Sequence, residues 1–304
     1  MTATVSQLAI LFAFIFLGFT VGRIKHVTIE KSNVLSVLLV NIFLPCKVFL
    51  NFSDRCTLPY LKSNYPTILV SVAFLLLLVL FSWAIAKVLT KDRYERKVYR
   101  YSFAISNYAY LGYVFVEATF GEQALTDMIF FCIPFAFYTY TFGYALLTDS
   151  VGSVKKLFNP MVIALALGMV FGIFGIKMPS VPATILDYAS DCVGPLSMIL
   201  TGLVIASFSP KDLIPDTRSA IFTALRLVII PALLLSLCLI LKAIGLLPNT
   251  VFPAAVIMGC MPCGLNTIVF PLFAGKDCKM GVRFVLLSHA LSLISIPLWM
   301  LILA

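Results

Sequence analysis

Charged residues are scarce in this chain of 304 residues, making up 12% of it where a soluble domain carries about 25%. Between the apolar runs, no stretch is long enough to form a soluble domain, so a soluble globular protein is excluded. Acidic residues number 13 and histidines two. Neither H-E-x-x-H nor paired aspartates on different predicted spans occur, which argues against a membrane-embedded enzyme.

Apolar residues dominate instead, at 61% of the chain with a mean hydropathy of +1.05, which is typical of an integral membrane protein. The first apolar run, Val5–Gly22, has no basic region before it and no small-residue cleavage site after it, so we predict a retained span. Apolar runs of spanning length predict ten helices. The predicted spans are Val5–Gly22, Val34–Phe52, Tyr65–Leu89, Val98–Thr119, Ala124–Leu147, Pro160–Gly175, Thr184–Phe208, Thr217–Leu241, Thr250–Phe273 and Val282–Ala304.

The basic residues indicate an orientation. Of the 22 Lys and Arg residues, 17 fall in the odd-numbered connections or at the span ends beside them. The positive-inside rule therefore predicts that these connections are cytoplasmic and that both termini are outside. The net charge of +9 is explained by this topology, and because the basic residues are spread among short loops, no nucleic-acid partner is expected.

Two apolar segments, Tyr99–Phe120 and Thr250–Ala274, are interrupted halfway by residues that break helices. The interruptions are Ser106–Gly112 and Cys260–Asn266. An unwound stretch at membrane depth leaves backbone groups that lipid cannot satisfy, so it persists only where it lines a cavity or binds something. Interrupted helices at corresponding positions of two halves therefore predict a substrate site.

A weak internal repeat supports two halves. Phe115–Gly121, with Phe130 downstream, matches Val269–Gly275, with Phe284 downstream, at a constant offset of 154 residues (284 minus 130). Because the predicted unit of five helices is odd, the second copy is inverted, as in many secondary transporters. We predict an all-α membrane protein with a first repeat at 1–148, a short cytoplasmic connection at 149–158 and an inverted repeat at 159–304. By analogy with related folds, helices three, four, five, eight, nine and ten should form a core and the others a panel.

The predicted substrate site lies at the two interruptions. The amides of Asn107 and Asn266 are predicted to bind a carboxylate beside the N-terminal ends of the second half-helices. The alternative is that each amide only caps a helix end, and the two roles need not exclude each other. Lys47 either attracts an anion or extends to the interface, and interface extension is the interpretation we favour for Arg226. The full set of predicted substrate-binding residues is Ser106, Asn107, Tyr108, Gly112, Pro262, Gly264, Asn266 and Lys47.

A second match pairs Asn41–Pro45 with Asp191–Pro195. Asp191 is the most isolated carboxylate within a predicted span, and ionisable groups at that depth are usually functional. It is predicted, with the repeat-related Asn41, to bind a coupling proton or sodium ion, or alternatively to pair with Lys47. Cys260 and Cys263 form a C-x-x-C without further metal ligands, so we expect no metal and no cofactor other than the coupling ion.

Several short motifs together resemble the auxin efflux carrier family. They are Leu44-Pro45, Ser106-Asn107 with Leu111-Gly112, Gly194-Pro195-Leu196-Ser197 with Gly202, and Pro262 with Asn266. The resemblance spans nearly the whole chain and implies ten helices in two inverted groups, termini outside and a site where helices four and nine cross. A homodimer through the panel would fit the family. The short central connection resembles compact bacterial members, although Gly112 lacks the following proline and Ser106 replaces the proline of plant members.

We therefore predict a secondary transporter, not an enzyme, that moves a small organic anion, a mono- or dicarboxylate, by alternating access across a bacterial plasma membrane. Its expected partners are this anion and the lipid bilayer. One alternative is a carrier similar to sodium-coupled bile-acid symporters, which would need more acidic and polar ligands around the breaks. Others are an embedded enzyme or a receptor, although a receptor has no need of symmetric helix breaks.

Overall fold

A computed structural model describes residues 2–149, 160–211, 213–245 and 251–303. It is all-helical, with 85% helix. The helices are α1 (Thr2–Ile24), α2 (Ile29–Leu38), α3 (Leu44–Arg55), α4 (Leu58–Leu89), α5 (Arg93–Ala104), α6 (Tyr113–Phe120), α7 (Glu122–Phe131), α8 (Ile133–Tyr138), α9 (Tyr144–Thr148), α10 (Pro160–Phe174), α11 (Ser180–Asp191), α12 (Val193–Ala206), α13 (Thr217–Ala224), α14 (Ile230–Ala243), α15 (Val251–Cys260), α16 (Asn266–Phe273) and α17 (Lys279–Leu303).

The described residues include four π-helical turns, each inside or at the start of a longer helix, and each adds one residue to the local backbone. They are Leu39–Phe43, Tyr108–Gly112, Thr139–Gly143 and Leu225–Ile229. Such turns change the direction of the side chains that follow them and are frequent at functional sites. Three of the four contribute residues to the site described below.

Within the described residues, six helices are long and apolar enough to cross a membrane by length and composition, or seven if the pair Glu122–Phe131 and Ile133–Thr148, bent by 49°, counts as one span. The other predicted spans fall short for identifiable reasons. The segment containing α5 and α6 and the segment containing α15 and α16 are both interrupted, and α10 has 15 residues. The structure therefore establishes an all-helical protein with several membrane-spanning helices.

One layer of the fold is built from two closely packed helix pairs, α1 with α12 and α3 with α10. At Gly202, a Cβ would collide with the carbonyl oxygen of Ile15, and at Gly18 with that of Ile199. Small residues allow membrane helices to approach closely, because lipid provides no hydrophobic force to drive them together. These helices belong to the group that the sequence predicts as the panel.

The second layer surrounds the interrupted helices. In it α4 packs on α5, α14 on α15, α7 on α15 and α17 on α13. Its centre is largely aromatic, and Phe222 and Phe284 stack with ring centroids 3.9 Å apart. The α4 helix begins at Leu58, earlier than predicted, because Thr57 accepts a hydrogen bond from the N–H of Tyr60 and Pro59 lies in the first turn, where its missing N–H costs nothing.

Asp149 follows α9 with a left-handed backbone, at φ 56°. Its carboxylate pairs with Lys97 at the start of α5 and with Lys276 between α16 and α17. The hydrogen bonds from Lys276 and then Lys97 lower the pKa of Asp149 to about 2. Apart from Asp149, the predicted connection 149–158 lies outside the described residues.

Candidate functional site

The two helix interruptions pair with each other. After α5 ends at Ala104, Ile105 is extended (φ −116°, ψ 121°). Ser106 forms an isolated antiparallel bridge with Cys263, and the N–H of Asn107 donates to the carbonyl oxygen of Pro262 at 2.8 Å. Each unwound stretch therefore supplies backbone partners that lipid could not give to the other.

The second break follows directly from its residues. Pro262 has no N–H and disfavours a helical conformation for the residue before it, so α15 ends at Cys260. A Cβ added to Gly264 would lie 3.2 Å from the carbonyl oxygen of Ser106, so a glycine allows the two breaks to approach this closely. The first break contains no proline, and its backbone pairs with that of the second.

The carbonyl groups released at the two helix ends are bound by one arginine. In an unbroken helix, the carbonyl of Phe103 would accept from the N–H of Asn107, which instead donates to Pro262. Arg226 takes the place of that N–H as the donor to Phe103, because its Nη1 donates to the Phe103 carbonyl at 3.0 Å. Its Nε and Nη2 donate to the Met261 carbonyl at 3.2 and 3.1 Å. Each helix C-terminus carries roughly half a negative charge, so one guanidinium balances both ends.

A narrow cleft, which in this structure has room for about one water molecule (about 20 Å³), lies against the other side of the crossing. The N-terminal ends of the two second half-helices line it, where the first helical hydrogen bonds run from the N–H groups of Leu111 and Gly112 to Asn107. The preceding N–H groups have no partner within their helix, and the helix dipole makes such an end an anion site. The lining residues are Leu44, Ile105, Ser106, Asn107, Tyr108, Ala109, Tyr110, Thr139, Tyr140, Gly264, Leu265 and Asn266.

Asn107 contacts a buried histidine at the same crossing. Its Nδ2 lies 2.9 Å from Nε2 of His289, whose Nδ1 lies 2.8 Å from the carbonyl oxygen of Val285. A carbonyl only accepts, so Nδ1 carries the proton, and in the neutral ring Nε2 accepts from the amide. His289 and Asn107 are both 2% exposed.

Two polar atoms beside the cleft have no partner in the structure, namely Oγ of Ser106 and Oδ1 of Asn107. Both residues line the cleft and both are buried. Buried polar atoms are nearly always paired, so unpaired ones at a cleft indicate groups that a ligand or water satisfies.

Five of the eight predicted substrate-binding residues line this cleft, and they are Ser106, Asn107, Tyr108, Gly264 and Asn266. Gly112 and Pro262 lie at the crossing without lining the cleft, since Gly112 packs against Met128 and Met261. The alternative in which the asparagine amides cap helix ends is wrong, because neither following helix has a side-chain cap hydrogen bond.

Lys47 forms an ion pair with Glu117. Its Nζ lies 2.5 Å from Glu117, and the lysine is 5% exposed. The suggested pair between Lys47 and Asp191 is therefore wrong. The expectation that Arg226 extends to the membrane interface is also wrong, because Arg226 is fully buried and bonds to main-chain carbonyls.

The predicted coupling residues lie away from the cleft. Asp191 ends α11 and is exposed, and Asn41, also exposed, donates to the carbonyl of Val37 at 2.8 Å. Their role in ion coupling stays a prediction. Cys260 and Cys263 are both fully buried, which removes the access that a redox partner would need.

Sequence reasoning missed His289, the structural role of Arg226, and the contributions of Thr139 and Tyr140 to the cleft. One signal was available, because His289 is an isolated ionisable residue within a span, where such residues are expensive and usually functional. The others become visible only in three dimensions, because a π-helical turn directs Thr139 and Tyr140 inward and main-chain atoms far along the chain bind Arg226.

Comparison with known proteins identifies the family. A family model described as membrane transport protein matches residues 3–156 and 149–300. An uncharacterized transporter of Methanothermobacter thermautotrophicus is 25% identical over 315 residues, which cover 99% of this chain and 98% of the relative. An uncharacterized transporter of Methanocaldococcus jannaschii is 26% identical over 285 residues, which cover 89% of this chain and 89% of the relative. Transporters are not enzymes, and the apolar helices agree with a membrane location. The chain therefore belongs to the membrane transport protein family, which is the auxin efflux carrier family indicated by its sequence motifs.

Proposed function

We propose that this protein is a secondary transporter that moves a small organic anion, a mono- or dicarboxylate, through the cleft at the crossing of the two helix breaks. The observation that carries this proposal is that one cleft is lined by the N-terminal ends of both second half-helices. The N–H groups at those ends and the positive ends of the helix dipoles favour a negatively charged ligand.

The polar groups of the cleft suit a carboxylate. Ser106 supplies a hydroxyl without a partner, and Asn266 supplies an amide at the first turn of α16. No carboxylate side chain is among the residues that line the cleft. Because no fixed negative charge lines the cleft, its electrostatics favour an anion over a cation as the ligand.

The electrostatic arrangement keeps the two sides of the crossing distinct. Arg226 binds the carbonyl ends, Phe103 and Met261, of the first half-helices. The N-terminal ends remain without a fixed counter-charge in the cleft, available to a mobile anion.

Alternating access is proposed for two inverted five-helix halves, 1–148 and 159–304, joined at 149–158, with ten spans and both termini outside. The two ranges matched by the family model overlap at residues 149–156, beside this connection, which supports a division of the chain into two halves there. The two closely packed helix pairs of the panel would form a frame against which the layer containing the crossing moves. A homodimer through the panel belongs to the same proposal, and the binding of a coupling proton or sodium ion at Asp191 and Asn41 stays a prediction from the sequence.

The experiment that tests this function is thermal stabilisation of the purified protein by acetate, pyruvate, malate, succinate and benzoate, with and without sodium. Binding to the folded state raises its apparent stability by mass action. We expect at least one carboxylate to stabilise the wild type and to lose its effect in Asn266→Ala. Stabilisation by cations or neutral solutes alone would contradict the proposal, as would full carboxylate stabilisation of the variant.

A further inference from the structure

We propose that His289 binds a coupling proton at Nε2, and that this proton is taken up together with the anion. The inference rests on the proposed function, since the anion is the ligand to which protonation is linked. It assigns proton binding to a residue at the crossing itself. The coupling residues expected from the sequence, Asp191 and Asn41, lie exposed and away from it.

The neutral state of the site follows from its hydrogen bonds. The Val285 carbonyl fixes the proton of His289 on Nδ1, so Nε2 accepts and must face a donor. This orients the Asn107 amide, with Nδ2 toward the imidazole and Oδ1 on the opposite side, buried without a partner. In this state the amide presents to the cleft an oxygen acceptor, which repels a carboxylate.

Protonation reverses that arrangement. When Nε2 gains a proton it becomes a donor, and it can no longer accept from Nδ2 of Asn107. Turning the amide by about 180° brings Oδ1 to the imidazolium and puts the two N–H donors where the oxygen was. The cleft then presents donors to the anion, with a full positive charge one side chain away.

The two ligands therefore favour each other. A carboxylate in the cleft stabilises the imidazolium, and by linkage the proton raises the affinity for the carboxylate by the same factor. A carrier built this way moves one proton and one anion in the same direction. Neither ligand alone gives the amide a complete set of partners.

The groups around His289 leave the anion as its counter-charge. On one side, α1 and α12 present apolar side chains to the crevice that His289 lines, and the residues are Phe12, Ile15, Phe16, Phe19 and Ile205. The described loop residue Leu213 and the α17 residues Leu286, Ala290 and Leu293 complete that crevice. Since this side is apolar, the proton reaches Nε2 from the cleft side when the Asn107 amide turns away from the imidazole.

The titratable groups on the other elements packed against α17 either bind other partners or are buried away from the imidazole. Arg226, from the Leu225–Ile229 turn, donates to two main-chain carbonyls, and Cys260 and Cys263 are buried neutral thiols at the second break. Tyr99 of α5 packs against Phe284. Arg218 pairs with Glu95. Arg283 of α17 pairs with Asp216 and lies six residues before His289, which is about 9 Å along the helix. None of these described contacts gives the imidazole a carboxylate.

Titration calorimetry of the purified protein tests the proposal, using pyruvate, benzoate and methanesulfonate between about pH 5.5 and 8, and acetate, malate and succinate only above about pH 7, so that each anion stays ionised. Buffers with different ionisation enthalpies report the number of protons taken up per anion. The variants are His289→Gln and His289→Asn, with Asp191→Asn as the rival site. The matched control is His26→Gln, because His26 is the other histidine of the chain and is exposed in a loop.

We expect wild-type affinity to rise as the pH falls, by up to tenfold per pH unit, with uptake of up to one proton per anion. The His289 variants should bind the anion with an affinity independent of pH, and His26→Gln should behave as wild type. If the His289 variants do not fold, proton uptake by the wild type and its persistence in Asp191→Asn decide the matter.

Three results would overturn the proposal. Wild-type binding that is independent of pH shows that no proton is linked, while leaving the proposed function intact. A pH dependence that persists in His289→Gln, or that is lost in Asp191→Asn alone, assigns the proton elsewhere. Absence of binding by any of these anions at any pH overturns this inference and the proposed function together.

Discussion

The backbone N–H of Asn107 donates a 2.8 Å hydrogen bond to the carbonyl oxygen of Pro262, so the two interrupted helices complete each other's backbone pairing. This one contact connects residues 155 positions apart (262 minus 107) and fixes where the half-helices end. The carbonyl ends then meet Arg226, and the N-terminal ends meet the cleft. The proposed anion site depends on this separation of the carbonyl ends, at Arg226, from the N-terminal ends, at the cleft.

Replacing Ser106 tests whether the cleft binds an anion. Its hydroxyl is buried without a partner, and a hydrogen bond to a charged ligand is worth about 1.5–3 kcal/mol. We expect Ser106→Ala to weaken carboxylate binding roughly 10- to 150-fold, measured by calorimetry, with little change in thermal stability. The control is Ser63→Ala, because Ser63 is exposed on α4 and its hydroxyl bonds within its own helix, to the carbonyls of Pro59 and Tyr60 and to the Asn64 amide. Equal affinity in the two variants would remove Ser106 from the site.

Replacing Arg226 tests whether one buried guanidinium holds both helix ends. Arg226→Met leaves the carbonyls of Phe103 and Met261 without these donors, at about 1–3 kcal/mol each. We expect a clear loss of thermal stability, partly recovered in Arg226→Lys, which keeps the charge but has fewer donors. Arg218→Met, which removes an exposed pair with Glu95, should cost no more than about 1 kcal/mol. An Arg226→Met protein as stable as the wild type would refute this role.

The pair between Lys47 and Glu117 separates a structural role of the lysine from a role in substrate binding. Glu117→Gln leaves a buried ammonium group without its partner, which costs about 3–5 kcal/mol, whereas the double variant with Lys47→Met removes both charges. We expect the double variant to be more stable than Glu117→Gln and to retain carboxylate binding. Recovered stability with lost binding would instead place Lys47 in the substrate site.

Asp149 gives a pH-dependent contribution to stability with a definite sign. Its pKa is about 2 in the folded protein, below the value of about 3.9 for an unperturbed aspartate. The ionised carboxylate therefore stabilises the fold above about pH 4, and the contribution is lost as the pH falls toward 2. Asp149→Asn keeps a residue that tolerates the left-handed backbone and removes only the charge.

The difference in melting temperature between wild type and Asp149→Asn should therefore be present at neutral pH and shrink between about pH 4 and 2. It should be small, because the carboxylate is half exposed and exposed pairs contribute only about 0.2–1 kcal/mol. A difference that grows on acidification would contradict the assigned pairing with Lys97 and Lys276.

The positions of the helix breaks could be predicted from the sequence, since Pro262 cannot continue a helix and the polar pair Ser106-Asn107 interrupts an apolar run. The side chains that bind these breaks could not be predicted from the sequence. Arg226 is an ordinary basic residue near a predicted helix end, and the atoms that it binds are main-chain carbonyls, which carry no sequence signal. His289 has no motif because its partner is 182 positions away. The mutual packing of helices determines such contacts, and hydrophobic periodicity does not specify that packing.

Anion counterflow tests carboxylate transport through the cleft most directly, in liposomes that contain the purified protein and are preloaded with the carboxylate that stabilises it most. We expect accumulation of the labelled carboxylate with the wild type and with Ser63→Ala, and none with the double variant Ser106→Ala and Asn266→Ala at equal abundance and stability. Undiminished counterflow in the double variant would contradict this expectation, as would a wild-type protein that moves cations or neutral solutes but no carboxylate.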